Sequence, residues 1–195
     1  MPRSGLNRQT VVDEAIRLIE EKGYDVFSMR ELAERLNIKT ASLYNHVGSM
    51  DEIIAEVGKF AVGTLNQAQF SALEGLKRDK AIFALAMAYR NFAKEHPELY
   101  KVIMDLHSTD KEIISRSADP ITAPFLKVLG DYPLSDDQKM HWQRVLRGFI
   151  HGFLSQEEAG YFCHFSVNKE ISYELGIQCY IDGLNAAVRR RAEEG

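Results

Sequence analysis

Cysteine is almost absent. Cys163 and Cys179 are the only two in 195 residues, too few for a disulfide framework and without metal-ligand spacing. The polar start offers no apolar segment of the kind a secretory signal needs. The longest unbroken apolar run, Ala81 to Tyr89, is far shorter than a membrane span. These absences predict a soluble protein of a reducing compartment, most simply the cytoplasm, with no membrane partner. Enzyme signatures are missing as well: there is no HExxH, nucleophile elbow, P-loop or dinucleotide fingerprint. Cys163-His164 is a suggestive pair, but adjacent side chains on a connection rarely meet productively, and no third member is identifiable. The expectation is therefore no enzyme, no cofactor and no bound metal.

An overall excess of positive charge is also lacking. The net charge is −4, and residues 1–50 balance seven Lys/Arg against seven Asp/Glu. The distribution says more than the sum. Residues 1–12 hold Arg3 and Arg8 with no acid, and residues 35–50 hold Arg35 and Lys39 with none. A basic footprint confined to such patches implies modest non-specific affinity for nucleic acid.

What is present is helix after helix, with enough apolar content (45%) to fill a core. No strand, repeat or low-complexity stretch stands out. Asn7 caps a first helix to Lys22, with Val12, Ala15, Ile16 and Ile19 on one face and Gly23 as its stop. Ser28 opens a second helix and Glu31 completes a capping box. Ser49 and Glu52 form another box before a long fourth helix. Asp79 is read as capping a fifth, and Pro97 suits the first turn of the next. Pro120 and Pro124 must kink or split the helical stretch 110–130. Ser135 with Gln138 caps a long helix to about Ala159, and Asn168 starts the last. The chain is thus read as all-α, about nine helices. Residues 1–50 form a three-helix helix-turn-helix unit, and 51–195 a larger helical domain for ligand binding and dimerisation.

The stretch from Asn37 to Gly48 is the most informative. Asn37 can take the left-handed conformation that ends the second helix, Thr40 is read as an N-cap, and Gly48 as the stop about two turns on. Only Leu43 and Val47 look inward. The outer face carries Lys39, Thr40, Ser42, Tyr44, Asn45 and His46 with no acid nearby, and Ala41 could meet a thymine methyl. Such a face suits a DNA groove better than a core. Ser28 and Arg30, at the start of the second helix, are placed to meet a phosphate. Arg30 could equally pair with a nearby carboxylate.

Ser28-Met29-Arg30-Glu31-Leu32-Ala33-Glu34-Arg35-Leu36, followed by Leu43-Tyr44-Asn45-His46-Val47, resembles the N-terminal signature of TetR-type transcriptional regulators over about residues 7–56. Trp142, Arg147-Gly148, His151-Gly152-Phe153, Glu157, Gly160 and Phe162 resemble the WHG type of ligand domain. The resemblance implies a helical homodimer that binds a small-molecule effector and a palindromic double-stranded operator. It casts Tyr44 and His46 as phosphate contacts. Where the family often has Lys and Phe, this chain has Met50 and Val47.

In the C-terminal half, Val145, Gly148, Gly152, Ser155 and Ala159 share one helical face, and Gly176, Cys179, Gly183 and Ala186 another. Glycine inside a helix costs about 1 kcal/mol relative to alanine. A close helix approach offsets that cost, either across a dimer interface (Gly148, Gly152, Ser155, Gly176, Cys179, Gly183) or within one subunit. Opposite lies an aromatic stripe, Trp142, Leu146, Phe149 and Phe153. With Phe83, Met87, Met104 and Phe125 it is either plain core or the wall of an apolar pocket. His107 and His151 are its candidate polar groups, though a lone His is more often a satisfied core residue. The functional expectation is a ligand-responsive repressor. The alternative is an effector-independent architectural or division-associated DNA-binding factor.

Overall fold

The computed structural model describes residues 6–109, 120–164 and 166–194, without the side chains of 107–109 and 194. Among these residues there are nine α-helices, two short 3-10 turns and no strand. The helices are α1 (Arg8–Lys22), α2 (Met29–Arg35), α3 (Thr40–Leu43), α4 (Met50–Ala72), α5 (Arg78–Glu95), α6 (Pro97–Thr109), α7 (Ala123–Leu129), α8 (Asp136–Glu158) and α9 (Lys169–Glu194). The 3-10 turns are Tyr24–Val26 and Tyr161–His164.

Local chemistry explains most helix ends. The Asn7 side chain accepts from the Thr10 N–H at 2.9 Å, and Gly23 closes α1 at φ 108°, where a side chain would be strained. Ser135 and Gln138 make a complete capping box for α8. Pro97 opens α6, where its missing N–H leaves no bond unmade.

Several expected details differ. Glu31 ion-pairs with Lys22 of α1, so Ser28 receives the Glu31 N–H at 3.3 Å as half a box. Glu52 accepts the Gly48 N–H at 2.5 Å while its own N–H reaches the Ser49 hydroxyl. α5 begins at Arg78, so Asp79 lies inside its first turn and is free to accept from Tyr132 (2.6 Å) and Asn185 (3.0 Å). Pro124 lies in the first turn of α7, which starts at Ala123, and does not kink a helix. Residues 110–119 of the expected 110–130 helix, and Arg3, lie outside the described residues.

Compactness divides the chain differently from the functional boundary expected at residue 50. One unit comprises residues 1–65 and 92–117, the other residues 66–91 and 118–195, so α4 and α5 each contribute to both.

Unit 1 buries Val11, Ala15, Leu18 and Ile19 of α1 with Leu32 of α2, Leu43 of α3 and Ile53 and Val57 of α4. α6 packs on α1 and on the Tyr24 turn. A Cβ on Gly58 would fall 2.4 Å from the Leu106 side chain, so Leu106 of α6 occupies the space that glycine leaves on α4. In unit 2, α8 packs against α7 and α9. Its largest fully buried side chain is Arg90, only 1% exposed.

Candidate nucleic-acid interface

Asn37 sits at φ 56°, and the Ile38 N–H reaches back to the Ala33 carbonyl at 3.0 Å. That left-handed step ends α2 and turns the chain into α3. α3 is a single α-helical turn. Its N-cap residue is Lys39, not Thr40, and it accepts no cap bond because a lysine side chain has no acceptor. Past Leu43 the ladder tightens: Asn45 N–H donates to the Ser42 carbonyl at 3.3 Å and His46 N–H to that of Leu43 at 2.9 Å. The helix is therefore shorter than the two turns expected, and Gly48 lies beyond its end.

Leu43 and Val47 anchor the segment, at 0% and 3% exposure. Around them Lys39, Ala41 and Asn45 are exposed, Thr40, Ser42 and His46 half-buried, and Tyr44 is 51% exposed. The exposed and half-buried side chains of residues 39–46 include no acid, and Leu43 and Val47 hold the segment from beneath. Arg30 is exposed and pairs with Glu34 one turn on at 2.9 Å, the carboxylate alternative. Ser28 uses its oxygen as the cap of α2.

The surface rests on a frame of polar bonds inside unit 1. Arg35 bridges Glu14 and Glu21, each at 2.6 Å, and its hydrogen bond holds the Glu21 carboxyl below the usual range. Arg8 ties α1 to Glu52 (2.6 Å) and Glu56 (3.1 Å) of α4. At the Tyr24 turn, Glu98 of α6 accepts the Tyr24 N–H at 2.7 Å, and the Tyr24 hydroxyl donates to Asp105 at 2.5 Å. Burial acts to raise the Glu98 carboxyl, but the Tyr24 N–H and Lys101 outweigh it and hold it low. Burial and the Asp105 carboxylate push the Tyr24 hydroxyl well above its ordinary range. This clamp, which ties α6 to the helix-turn-helix, was not anticipated from the sequence.

The residues expected to line an effector pocket separate into several environments. Phe83 lines a shallow surface groove of about 430 Å³ with Leu76, Ala84, Gln178 and Ile181. Phe125 is fully buried and lies 6.2 Å from the Tyr89 ring. His151 stands edge-on to Tyr89 at 5.3 Å, with the Tyr89 hydroxyl and Arg147 Nε each 3.2 Å from its Nε2. His151 is thus a half-buried, hydrogen-bonded group. Trp142 packs on Tyr180 at 5.4 Å, and Phe149 stacks on Tyr173 at 5.6 Å. Met87 is half-buried on α5. Met104 belongs to unit 1 and is 43% exposed, not a buried lining group. The His107 side chain lies outside the described residues.

The small-residue faces also divide. A Cβ on Gly148 or Gly152 would meet nothing within 4 Å beyond its own helix among the described residues, and Ser155 and Cys179 are exposed. Packing among the described residues therefore does not account for those glycines. Gly176 is different: a Cβ there would fall 2.2 Å from the Phe149 ring, so its smallness serves an intrachain contact between α9 and α8. Gly183 faces Trp142 at ordinary contact distance, 3.9 Å.

Sequence reasoning passed over Arg90. It is bound by Glu157 through two oxygens at 2.9 and 3.0 Å, pairs with Glu170, and lies 4.7 Å from the Tyr173 ring centroid. An arginine directly after the Ala81–Tyr89 apolar run of α5 was the available signal. Burial tends to raise the Glu157 carboxyl, but Lys169 and Arg90 hold it below the usual range.

A helix-turn-helix that presents an acid-free reading surface, joined to a larger helical unit, defines a DNA-binding transcriptional regulator. Residues 11–57 match the bacterial regulatory proteins of the tetR family, and residues 82–180 a tetracycline repressor-like C-terminal domain. The chain belongs to the TetR family. It is 30% identical over 189 residues to the HTH-type transcriptional regulator YobS of Bacillus subtilis (strain 168), covering 94% of this chain and 95% of YobS. It is 31% identical over 106 residues to IcaR of Staphylococcus aureus (strain Newman), a negative regulator of the biofilm operon icaADBC, covering 54% of this chain and 56% of IcaR. Among solved structures, a variant of TetR from Acinetobacter baumannii AYE in complex with minocycline shares the fold. The TM-score is 0.68 at 18% identity, over 94% of this chain and 98% of that one. TetR-family regulators bind DNA and ligands and act as dimers. No helix among the described residues is long and apolar enough to cross a membrane.

Proposed function

We propose that this chain is a ligand-responsive repressor that binds a roughly palindromic operator as a homodimer and is released by a small, largely apolar effector. The observation that carries the reading is the α3 surface. Lys39, Thr40, Ala41, Ser42 and Asn45 are offered to base edges, while Tyr44, His46, Ser28 and Arg30 meet phosphates. The Arg30–Glu34 pair is exposed and contributes little, so a phosphate can displace the carboxylate. The printed role of IcaR as a negative regulator supports repression, and the minocycline complex supports effector control.

Dimerisation would use the α8 face with Gly148, Gly152 and Ser155, extended by Cys179 and the exposed Ile171 and Leu175 of α9 (64% and 63%). The two α3 segments would then enter successive major grooves about 34–36 Å apart, or a multiple of that. Gly148→Leu tests the interface, because a Cβ there meets nothing within 4 Å among the described residues. The expected result is a folded monomer with weakened operator binding; a variant that sediments as wild type overturns the assignment.

Control requires the effector to favour one arrangement of the paired reading heads, since equal affinity for both shifts nothing. α4 is the natural lever: it starts two residues after Gly48 and contributes to both units. A coupling of about 1–3 kcal/mol changes operator affinity about 5–150-fold, and operator must weaken the effector by the same factor.

A selection from random duplex DNA tests the reading. It should enrich an inverted repeat, with binding that falls about 10³–10⁵-fold between 50 and 200 mM salt if roughly 6–10 phosphates are neutralised. No enriched motif would sink it. One observation favours the effector-independent alternative: Phe149, Phe153 and Tyr173 already fill one another's space. Compounds that bind with equal affinity in the presence and absence of operator would decide for that alternative.

A further inference from the structure

The buried amides of α4 carry an inference that rests on the effector reading above and names the effector's chemistry. Gln69 is 0% exposed, and neither its Nε2 nor its Oε1 has a hydrogen-bond partner. Three residues earlier, the Asn66 Oδ1 is also buried and unpartnered, while its Nδ2 donates to the Pro120 carbonyl at 2.8 Å. That bond fixes the orientation of the Asn66 amide, because a carbonyl can only be met by its N–H end. Residues three apart on a helix share a face, with their Cβ atoms about 5–6 Å apart. All of these groups belong to unit 2, and the chain that carries Pro120 continues through buried Ile121, Thr122 and Phe125.

A fully buried amide with both ends unpaired is rare in folded proteins, because burial removes the water that would otherwise satisfy it. Other buried polar groups are paired, as the Tyr173 hydroxyl is to the Ala86 carbonyl at 2.8 Å; outside this pair of amides, the Gln143 Oε1 is the one further unpaired buried side-chain atom among the described residues. Asn66 and Gln69 together present one N–H donor group and two carbonyl acceptors. We propose that this edge receives the polar end of a neutral, largely apolar ligand that carries a carbonyl beside an NH2 group, as in a primary carboxamide. The ligand carbonyl accepts from Gln69 Nε2, and its donors satisfy Gln69 Oε1 and Asn66 Oδ1. A carboxylate fits badly. It brings acceptors only, faces two carbonyl oxygens and finds no cation paired to either residue. Chemistry of this kind would place the effector's polar end against α4, the helix shared by both units.

The test compares wild type with Gln69→Leu, which keeps most of the volume and removes the amide. Matched probe pairs are used: benzamide and benzoate, phenylacetamide and phenylacetate, octanamide and octanoate. Without any probe, Gln69→Leu should raise the melting temperature, by about 2–12 °C for each unpaired buried group it removes. One or more of the carboxamides should raise the wild-type melting temperature and leave Gln69→Leu unmoved, while the carboxylates move neither. A probe-free Gln69→Leu that is less stable than wild type overturns the proposal, since it means a trapped water already satisfies the amide. So does a variant that retains the carboxamide shift, a carboxylate that matches or exceeds its amide, or a panel in which no carboxamide binds wild type. Operator release separates the two readings. If any probe other than the carboxamides lowers operator affinity, the effector reading stands and only the ligand class is wrong. If Gln69→Leu binds operator as wild type does and no compound affects either, the effector reading itself has failed.

Discussion

The two compact units handle polar groups in opposite ways. Unit 1 lays its ion pairs near the surface and across elements: Arg35 to Glu14 and Glu21, Arg8 to Glu52 and Glu56, and the Tyr24, Glu98, Lys101 and Asp105 clamp. Among the described residues it leaves no buried side-chain polar atom unpaired. Unit 2 sinks a guanidinium into its interior, and among the described residues it holds all the unpaired buried atoms, on Asn66, Gln69 and Gln143. Stability and local consistency are usually compromised where function needs it. A unit that must present one fixed surface to DNA is fully stitched. Under the proposed effector reading, the unmet bonds of unit 2 are what a ligand arriving from solvent would complete.

The largest expected effect separates the two kinds of charge. Arg90→Ala should cost about 3–5 kcal/mol in a denaturant melt, because it empties a fully buried site and takes from Glu157 its buried partner, leaving it Lys169. Arg8→Ala, which removes two exposed pairs from unit 1, should cost under about 1 kcal/mol. Equal costs would erase the contrast. Next comes Leu43→Ala, expected to lose about 2–5 kcal/mol and operator binding together, since Leu43 is one of two contacts that hold the reading surface. Chemical denaturation paired with an operator titration checks both halves of that statement.

Acid sharpens the comparison further. Glu21, Glu56 and Glu98 in unit 1, and Asp79 and Glu157 in unit 2, all have carboxyls held below their ordinary range. A depressed folded-state value contributes stability that is complete above the unfolded value, about 4, and drains away as pH falls through the folded one. The melting temperature should therefore be flat across neutral pH and fall below about pH 4. Glu98→Gln should flatten part of that fall. The smallest effect belongs to Tyr44→Phe. It should leave the melting temperature unchanged and weaken operator binding about 2–10-fold on every sequence, the worth of one hydrogen bond. A change of preferred sequence instead would mean that Tyr44 reads bases.

Local signals were legible where the chemistry is local. Asn7, Asn37, Ser135 with Gln138, and the Leu43 and Val47 anchors could all be read from residue type and spacing. Long-range competition was not legible. Glu31 leaves its capping role because Lys22 of α1 offers a charge, and nothing near Glu98 announces that it will accept the Tyr24 N–H from 74 residues away. The glycines show the same limit. Periodicity put Gly148 and Gly176 on small-residue faces alike, yet only the packing of Phe149 decides that one is filled and the other open. Asn66 and Gln69 lie in a run of polar and small residues that reads as surface, and Gln69 proves to be fully buried.

The single turn of α3 has a consequence for how such a protein can change over time. Four residues cannot sustain a helix alone, since nucleation costs more than one turn returns. Its shape is borrowed from Leu43, Val47 and the neighbours they touch. Lys39, Ala41, Tyr44 and Asn45 therefore project from a scaffold that does not depend on them. Substitutions there can accumulate without a folding penalty, so duplicated copies can drift to new operators while the molecule beneath them stays the same.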